Sequence, residues 1–182
     1  MKKIISFALW GNKPIYTHGA IKNAELCKDI YDSSWSCRFY CAKNVPLDIV
    51  NRLKEISEVV EIPENAYNEW GYGLVKHMAI LDSDVERMVV RDCDSRLSKR
   101  EYEAVMQWTE SKYNFHIIRD HPYHCVHIMG GTWGCTKKFG NDIVNLGQKW
   151  DYDTKNKQYD QLFLAIKIWP LINNDVMIHD EI

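Results

Sequence analysis

The chain contains the sequence Met88-Val89-Val90-Arg91-Asp92-Cys93-Asp94-Ser95-Arg96, in which an apolar run ends in two carboxylates one residue apart. The apolar run predicts a buried strand, and the carboxyl end of a strand in an open α/β sheet is where ligands bind. Two carboxylates at that end suit Mn²⁺ or Mg²⁺, which complete their coordination with water and substrate phosphates. The alternative is that Asp92 and Asp94 are turn residues paired with Arg91 and Arg96.

Strands and helices alternate on either side of this stretch. Strands are predicted at Lys3–Leu9, Trp35–Ala42, Glu58–Ile62, Glu86–Arg91, Phe115–Arg119 and Val126–Met129. Helices are predicted at Thr17–Tyr31, from Pro46 onward, at Leu74–Leu81, from Ser98 to about Trp108 and at Tyr159–Ile168. Ser98 with Glu101 forms a capping box at the start of its helix, and Trp169-Pro170 is expected to end the last one. The polar segment 140–157 is predicted to be the most mobile. This order indicates an α/β fold, with a mixed, mostly parallel sheet and helices on both faces. The length of 182 residues suits a single domain over residues 1–182.

The composition narrows the classes of function. A formal net charge of -2 argues against binding of nucleic acid or of an acidic membrane through the overall charge of the protein. The apolar run at the N-terminus is too short for a membrane span and lacks the cleavage site of a signal peptide. Six cysteines without a CxxC pair indicate free thiols. We therefore expect a cytoplasmic protein without a transmembrane segment, in a host cytoplasm if the source is viral.

Several motifs resemble the nucleotide-sugar-dependent glycosyltransferases of GT-A fold, in particular a group of short enzymes from large viruses and bacteria. The motifs follow one another along nearly the whole chain: Arg91–Leu97, Arg100-Glu101 with Ala104-Val105 and Trp108, Phe115–Pro122 with His124, Gly130–Gly134, Tyr159-Asp160-Gln161 with Phe163-Leu164, and His179-Asp180. The resemblance implies a single Rossmann-like GT-A domain. It also implies transfer of a sugar from a nucleoside diphosphate, as in a UDP- or GDP-sugar, to a hydroxyl of a glycan or glycoconjugate.

The resemblance also implies roles for residues near the acidic pair. Asp92 and Asp94 would hold the metal and the donor, with Asp94 as the more direct ligand, and His179 would be a further ligand or else part of a frayed terminus. Donor contacts would come from the first strand and its loop, from Arg91, and from Lys76, where the family favours arginine. The residues of the first strand and its loop are Ala8, Trp10 and Gly11.

Candidate catalytic and acceptor-binding residues lie in the second half of the chain. Asp160 is at a helix start, where similar enzymes have an acidic residue that faces the reacting centre. It is a base that deprotonates the acceptor, a group that orients the acceptor or stabilises positive charge on the sugar, or a helix cap. Asp120 and His121 either contact sugar hydroxyls or form a salt-bridged turn. Gly131 permits close backbone approach to a ligand, and Trp133 either stacks on an acceptor sugar or fills the core.

Three rival functions remain open at this point. A nucleotidyltransferase also uses paired carboxylates and Mg²⁺, but the loop of residues 10–14 has one glycine and one lysine, a weak match to a triphosphate-binding loop. A noncatalytic sugar- or nucleotide-binding domain is the second rival. The third is a structural zinc protein, suggested by a cluster of possible ligands: His121, His124, Cys125, His127 and Cys135.

Overall fold

The structure, a computed structural model, describes residues 1–63, 73–120, 126–150 and 158–180. Its strands are β1 (Lys2–Leu9), β2 (Trp35–Ala42), β3 (Glu58–Ile62), β4 (Val85–Arg91), β5 (Phe115–Arg119), β6 (Thr132–Thr136) and β7 (Val176–Asp180). Its α-helices are α1 (Pro14–Ile30), α2 (Leu47–Ile56), α3 (Lys99–Thr109), α4 (Gly140–Gln148), α5 (Tyr159–Phe163) and α6 (Trp169–Ile172). Short 3₁₀-helices span Val75–Leu81 and Lys137–Phe139.

The strands form one seven-stranded sheet in the order β3-β2-β1-β4-β6-β5-β7. β6 runs antiparallel to its neighbours β4 and β5, whereas the other strand pairs are parallel. The prediction of a mixed, mostly parallel α/β sheet is therefore confirmed. Because β1, β4, β5 and β7 share a direction, the residues that follow them lie along one edge of the sheet, called here the carboxyl edge.

Helices cover both faces of the sheet and enclose two apolar layers. One layer packs α1, α2 and α3 against residues such as Phe7, Phe39 and Val89. The other packs the 75–81 helix, α4 and α5 against residues such as Met88, Ile117 and Trp133. Burial on both faces explains why β1 and β4 are nearly continuous apolar runs rather than alternating ones.

Two helix starts follow from local sequence. Pro14 opens α1, where its fixed φ suits the first turn and its missing N–H costs no hydrogen bond. The Oγ of Ser98 accepts a hydrogen bond of 3.2 Å from the backbone N–H of Glu101, so the predicted cap of α3 is confirmed. The side chain of Glu101 turns instead to Arg91 and Tyr31.

The local structure differs from the sequence predictions in three places. Residues 126–129 form no strand, and the chain pairs with β4 only after the Gly130-Gly131 turn, as β6. Residues 140–148 form α4, a helix that was not predicted, with Ile143 and Val144 buried; residues 151–157 of the segment predicted to be mobile lie outside the described residues. The last helical stretch does not end at Trp169-Pro170 but continues to Ile172 through a π-helical segment, Leu164–Ile168. A widened turn accommodates the missing N–H of Pro170.

The described cysteines Cys27, Cys37, Cys41, Cys93 and Cys135 are free and buried. No helix within the described ranges is long and apolar enough to cross a membrane.

Candidate functional site

Asp92 is the first residue after β4 and stands at the carboxyl edge. Its side chain is 52% exposed, while that of its partner Lys76 is 4% exposed. The ammonium of Lys76 lies 2.6 Å from Oδ1 of Asp92. This neighbouring charge holds the pKa of Asp92 below its usual value. Asp92 is therefore paired with Lys76 rather than with Arg91 or Arg96.

The turn that carries Asp92 and Asp94 is held in place by the hydroxyl of Ser95, which lies within the turn, and by hydrogen bonds from α1. Oγ of Ser95 donates to the carbonyl of Asp92 at 2.8 Å. The buried amide of Asn23 donates to the carbonyl of Ser95 and accepts from the N–H of Leu97, both at 3.0 Å. This leaves Asp94 exposed at the tip of a rigid turn.

Helix α1 approaches this turn closely at Gly19. A Cβ on Gly19 would lie 2.0 Å from the carbonyl oxygen of Cys93, so no larger residue fits without movement. Gly19 and Asn23 were not predicted as site residues. Their small and polar side chains on the buried face of an otherwise apolar helix were the signal that was available.

A small cleft opens beside Asp92 where β1 ends. It is lined by Ala8, Leu9, Trp10, Tyr16, Asp92 and Cys93. Sγ of Cys93 contacts the carbonyl of Ala8 at 3.5 Å, which ties β1 to the Asp92 turn. Gly11 has a φ of 72° and its N–H donates to Oδ1 of Asn44 at 2.8 Å, so the loop after β1 turns toward β2. Sequence reasoning missed Tyr16, which stands in the first turn of α1.

Asp160, in the first turn of α5, and Asp92 each lie against the Gly130-Gly131 turn. A Cβ on Gly131 would lie 2.2 Å from Oδ2 of Asp92, and one on Gly130 would lie 3.4 Å from Oδ2 of Asp160. The two carboxylates therefore contact consecutive glycines, whose Cα atoms are about 3.8 Å apart. The glycines permit this approach because they have no side chains.

Tyr159 and Gln161, the neighbours of Asp160 in sequence, form hydrogen bonds to the two backbone segments that Asp160 contacts. The hydroxyl of Tyr159 accepts from the N–H of Gly73 at 2.5 Å. The amide of Gln161 accepts from the N–H of Gly130 at 3.2 Å and donates to the carbonyl of Ile128. A Cβ on Gly73 would lie 2.8 Å from Oδ2 of Asp160.

Asp120 follows β5 at the same edge but turns toward α3, where its Oδ2 lies 3.5 Å from Nε of Arg100. β6 lies between β4 and β5, so Asp120 follows a strand two positions from the one that Asp92 follows. His121, predicted beside it as an acceptor contact, lies outside the described residues, as do His124 and Cys125 of the zinc alternative. The other two residues of that alternative are separated: Cys135 is buried in the core and His127 stacks on Trp169 at 4.4 Å.

Two predicted ligand contacts need correction. Arg91 is 2% exposed, and its Nε lies 2.8 Å from Glu101, because it points to the opposite side of β4 from Asp92. Trp133 is fully buried in β6 and packs edge-on against His77 at 5.2 Å. Arg91 is thus part of the packing against α3, and Trp133 fills the core rather than stacking on a sugar.

The structure places His179, which was predicted as a further metal ligand, on a different strand from the acidic pair. His179 lies in β7, which β6 and β5 separate from β4, or about 14 Å at the usual strand spacing. Its Nδ1 lies 2.9 Å from Nε2 of His116 and its Nε2 lies 3.0 Å from Oε1 of Gln107. No group of three or more metal-ligating side chains is present among the residues that the structure describes.

The oxygen atoms at the acidic turn nevertheless fit a hard divalent cation. Asp92 and Asp94 are exposed carboxylates one residue apart. Mg²⁺ and Mn²⁺ are commonly held by one or two carboxylates together with water and substrate phosphates. Lys76 already neutralises one oxygen of Asp92, so Asp94 offers the less encumbered carboxylate.

No family model and no curated protein sequence matches the chain. Two solved structures with glycosyl-transferring names share its fold. A glycosyltransferase involved in glycosylation of the major capsid of PBCV-1 is 14% identical, with a TM-score of 0.60 over 99% of this chain and 82% of that one. Glucosyl-3-phosphoglycerate synthase from Mycobacterium tuberculosis is 10% identical, with a TM-score of 0.62 over 98% of this chain and 70% of that one.

The same fold occurs in a putative glucose-1-phosphate thymidylyltransferase from Bacillus anthracis. It is 13% identical, with a TM-score of 0.54 over 100% of this chain and 87% of that one. A further neighbour is a Mycobacterium tuberculosis protein crystallised with manganese, at 8% identity and a TM-score of 0.54 over 99% of this chain and 89% of that one. At these identities the likeness shows that the chain has the GT-A-like α/β fold.

Proposed function

We propose that this chain is a metal-dependent glycosyltransferase that moves a sugar from a nucleoside diphosphate to a hydroxyl of a glycan or glycoconjugate. The observation that carries the proposal is that Asp92 and Asp160 lie against consecutive glycines of the Gly130-Gly131 turn. The turn lies at the carboxyl edge, and Asp92 also lines the cleft at the end of β1. Two structural neighbours named for glycosyl transfer support the class.

The donor would lie across the cleft and the acidic turn. The exposed aromatic rings of Trp10 and Tyr16 offer apolar surface for a nucleobase. Asp94, with Asp92, would hold a Mn²⁺ or Mg²⁺ ion. When bound, that ion supplies Lewis-acid stabilisation of the charge on the departing diphosphate. Lys76 keeps Asp92 ionised and fixed in orientation.

Asp160 would face the sugar on the side away from the cleft. It stands in the first turn of α5, with Oδ1 accepting from the N–H of Gln161 at 2.8 Å and Oδ2 directed toward Gly73 and Gly130. A carboxylate so held can accept a proton from an acceptor hydroxyl or stabilise positive charge at the anomeric carbon. The turn between Asp92 and Asp160 would then border the reacting centre.

The test is release of nucleoside diphosphate from UDP-, GDP- and dTDP-sugars in the presence of Mn²⁺, with and without glycan acceptors. We expect turnover with one donor class, loss of turnover with a chelator, and at least about a hundredfold loss in Asp94→Asn. Asp142→Asn, an exposed carboxylate on α4, is the matched control and keeps full activity. Near-normal turnover of Asp94→Asn at saturating donor and Mn²⁺ contradicts the proposal.

A nucleotidyltransferase is the second candidate, because a putative thymidylyltransferase shares the fold. That reaction joins a nucleoside triphosphate to a sugar phosphate and releases pyrophosphate. Incubation with triphosphates and glucose 1-phosphate, followed by a pyrophosphate assay, separates the two activities. Pyrophosphate release without any turnover of nucleotide sugars favours the second candidate.

A further inference from the structure

We propose that Gln161 and Tyr159 are positioning residues, which fix the place of Asp160 by holding the two backbone segments that it contacts, one of which also contacts Asp92. The inference rests on the proposed function, since it concerns the same reacting centre. It gives a role to two polar side chains that belong neither to the donor cleft nor to the acidic turn.

Gln161 fixes the turn that separates the two carboxylates. Its amide oxygen accepts from the N–H of Gly130, and its amide nitrogen donates to the carbonyl of Ile128. A single planar side chain thereby satisfies a donor and an acceptor of the same backbone segment, so the segment can neither slide nor rotate without breaking a hydrogen bond. Gly131, the next residue, contacts Asp92.

Tyr159 fixes the second backbone segment that Asp160 contacts. Its hydroxyl accepts from the N–H of Gly73, and Gly73 lies against the Asp160 carboxylate. Asp160 is therefore bounded by Gly73 and Gly130, and each of these glycines is bonded to a side chain adjacent to Asp160 in sequence. Three consecutive residues of one helical turn thus hold the carboxylate and both of its neighbours.

The hydrogen bonds from Gln161 and Tyr159 restrict the backbone at positions where glycine leaves it flexible. Glycine lets a carboxylate lie close against the backbone, but it also gives the backbone more freedom than any other residue. Misplacement of a reacting group by about 1 Å can reduce the rate about a hundredfold. The bonds from Gln161 and Tyr159 supply the rigidity that Gly130, Gly131 and Gly73 lack.

The experiment compares Gln161→Ala, Tyr159→Phe and Asp160→Asn with the double variant Gln161→Ala/Asp160→Asn. We expect Gln161→Ala to lower kcat about tenfold to a hundredfold while the KM for donor changes less than about threefold, because the donor cleft is unchanged. Tyr159→Phe removes one hydrogen-bond acceptor and lowers kcat less. Leu162→Ala, an exposed neighbour on the same helix, is the control and retains kcat.

The double variant distinguishes positioning from general loss of structure. If Gln161 acts through Asp160, the double variant turns over no more slowly than Asp160→Asn alone. Amide hydrogen exchange gives a readout without activity: Gly130 loses protection in Gln161→Ala, while β1 and β4 keep theirs.

Each outcome separates the inference from the proposed function. A wild-type kcat in Gln161→Ala, additive losses in the double variant, or unchanged protection of Gly130 overturns the positioning role and leaves the glycosyltransferase proposal standing. Absence of turnover by the wild-type chain on every donor overturns the proposed function and the positioning role together.

Discussion

At the scale of single residues, the pair of Lys76 and Asp92 shows how a buried cation controls an exposed carboxylate. The Lys76 side chain is almost wholly buried, yet Asp92 is half exposed and keeps its contact with water. Removal of the lysine charge therefore leaves a solvated carboxylate rather than a stranded buried ion, which limits the cost in stability.

Lys76→Met tests this relationship. We expect the free energy of unfolding to change by less than about 1 kcal/mol, because methionine fills the buried space and Asp92 remains hydrated. The pKa of Asp92 rises toward its ordinary value, since the ammonium that lowers it is gone. Carboxyl-carbon NMR titration measures that shift, and an Asp92 titration identical to that of the wild type contradicts the account.

Gly131→Ala tests the contact between the turn and Asp92. The new Cβ would lie 2.2 Å from Oδ2 of Asp92, so the carboxylate must rotate away from Lys76. We expect kcat/KM to fall more than about tenfold, equivalent to about 1.4 kcal/mol of transition-state stabilisation. Gly130→Ala is the matched control, because its Cβ would lie at an ordinary 3.4 Å from Asp160. Equal effects of the two substitutions count against a specific role for the Asp92 contact.

His77 makes stability depend on pH. It is buried between Trp133 and Phe163, and burial lowers its pKa to about 3. Below about pH 6.5 the unfolded chain binds a proton at this histidine while the folded chain does not, so stability falls as the pH drops toward 3. We expect wild type to lose about 1 to 2 kcal/mol more than His77→Phe between pH 7 and pH 5, by urea unfolding. Parallel stability curves for the two chains contradict this prediction.

Residue roles could be predicted from the sequence where they depend on local position. Asp92, Asp94 and Asp160 each stand at the end of a strand or the start of a helix, and the structure puts them at the expected ends. Arg91 and Trp133 were misassigned because the direction of a side chain depends on the register of its strand in the sheet. That register is set by partners distant in sequence.

At the scale of secondary-structure elements, α1 stabilises the acidic turn. Gly19 lets the helix approach Cys93, and Asn23 bonds to Ser95 and Leu97 on the far side of the turn. A helix that follows β1 thus braces the loop that follows β4, and the cleft lies between them.

Asn23→Ala tests this bracing. The substitution leaves the carbonyl of Ser95 and the N–H of Leu97 without the partner that Asn23 provides, which costs about 2 to 3 kcal/mol of unfolding free energy. Metal affinity also weakens, because Asp94 loses a fixed backbone. His18→Ala, an exposed position on the same helix, changes stability by less than about 0.5 kcal/mol. Chemical denaturation measures the stability of both variants. An Asn23→Ala variant that unfolds at the same denaturant midpoint as the wild type contradicts the bracing role.

The sequence predicted the secondary-structure elements whose residues follow a clear local pattern. It did not predict those that depend on contacts between residues distant in sequence. The bounds of β2, β3 and β5 and the cap of α3 agree with the sequence predictions. Residues 126–129 resembled a strand because Ile128 is apolar, but it is buried in the core without pairing to a strand. The π-helical segment before Pro170 buries Leu164 and Ile168, and periodicity alone does not reveal its widened turn.

At the scale of the whole molecule, the order of strands decides which predicted residues meet. The antiparallel β6 lies between β4 and β5, which moves β5 and β7 away from the acidic turn. The late histidine His179 therefore contacts His116 and Gln107 instead of Asp94. Strand order depends on long-range pairing, so the α/β class was predictable while this separation was not.

The central claim is that the acidic turn binds a nucleoside diphosphate through a divalent cation. Its most direct measurement is thermal unfolding with UDP, GDP or dTDP, each with Mn²⁺ or with a chelator, in wild type and in Asp94→Asn. We predict that one nucleotide with Mn²⁺ raises the Tm of wild type by about 5 to 10 °C at about 100 times its Kd, and that the shift disappears with chelator and in Asp94→Asn. An equal shift in chelator, or an undiminished shift in Asp94→Asn, would contradict the claim.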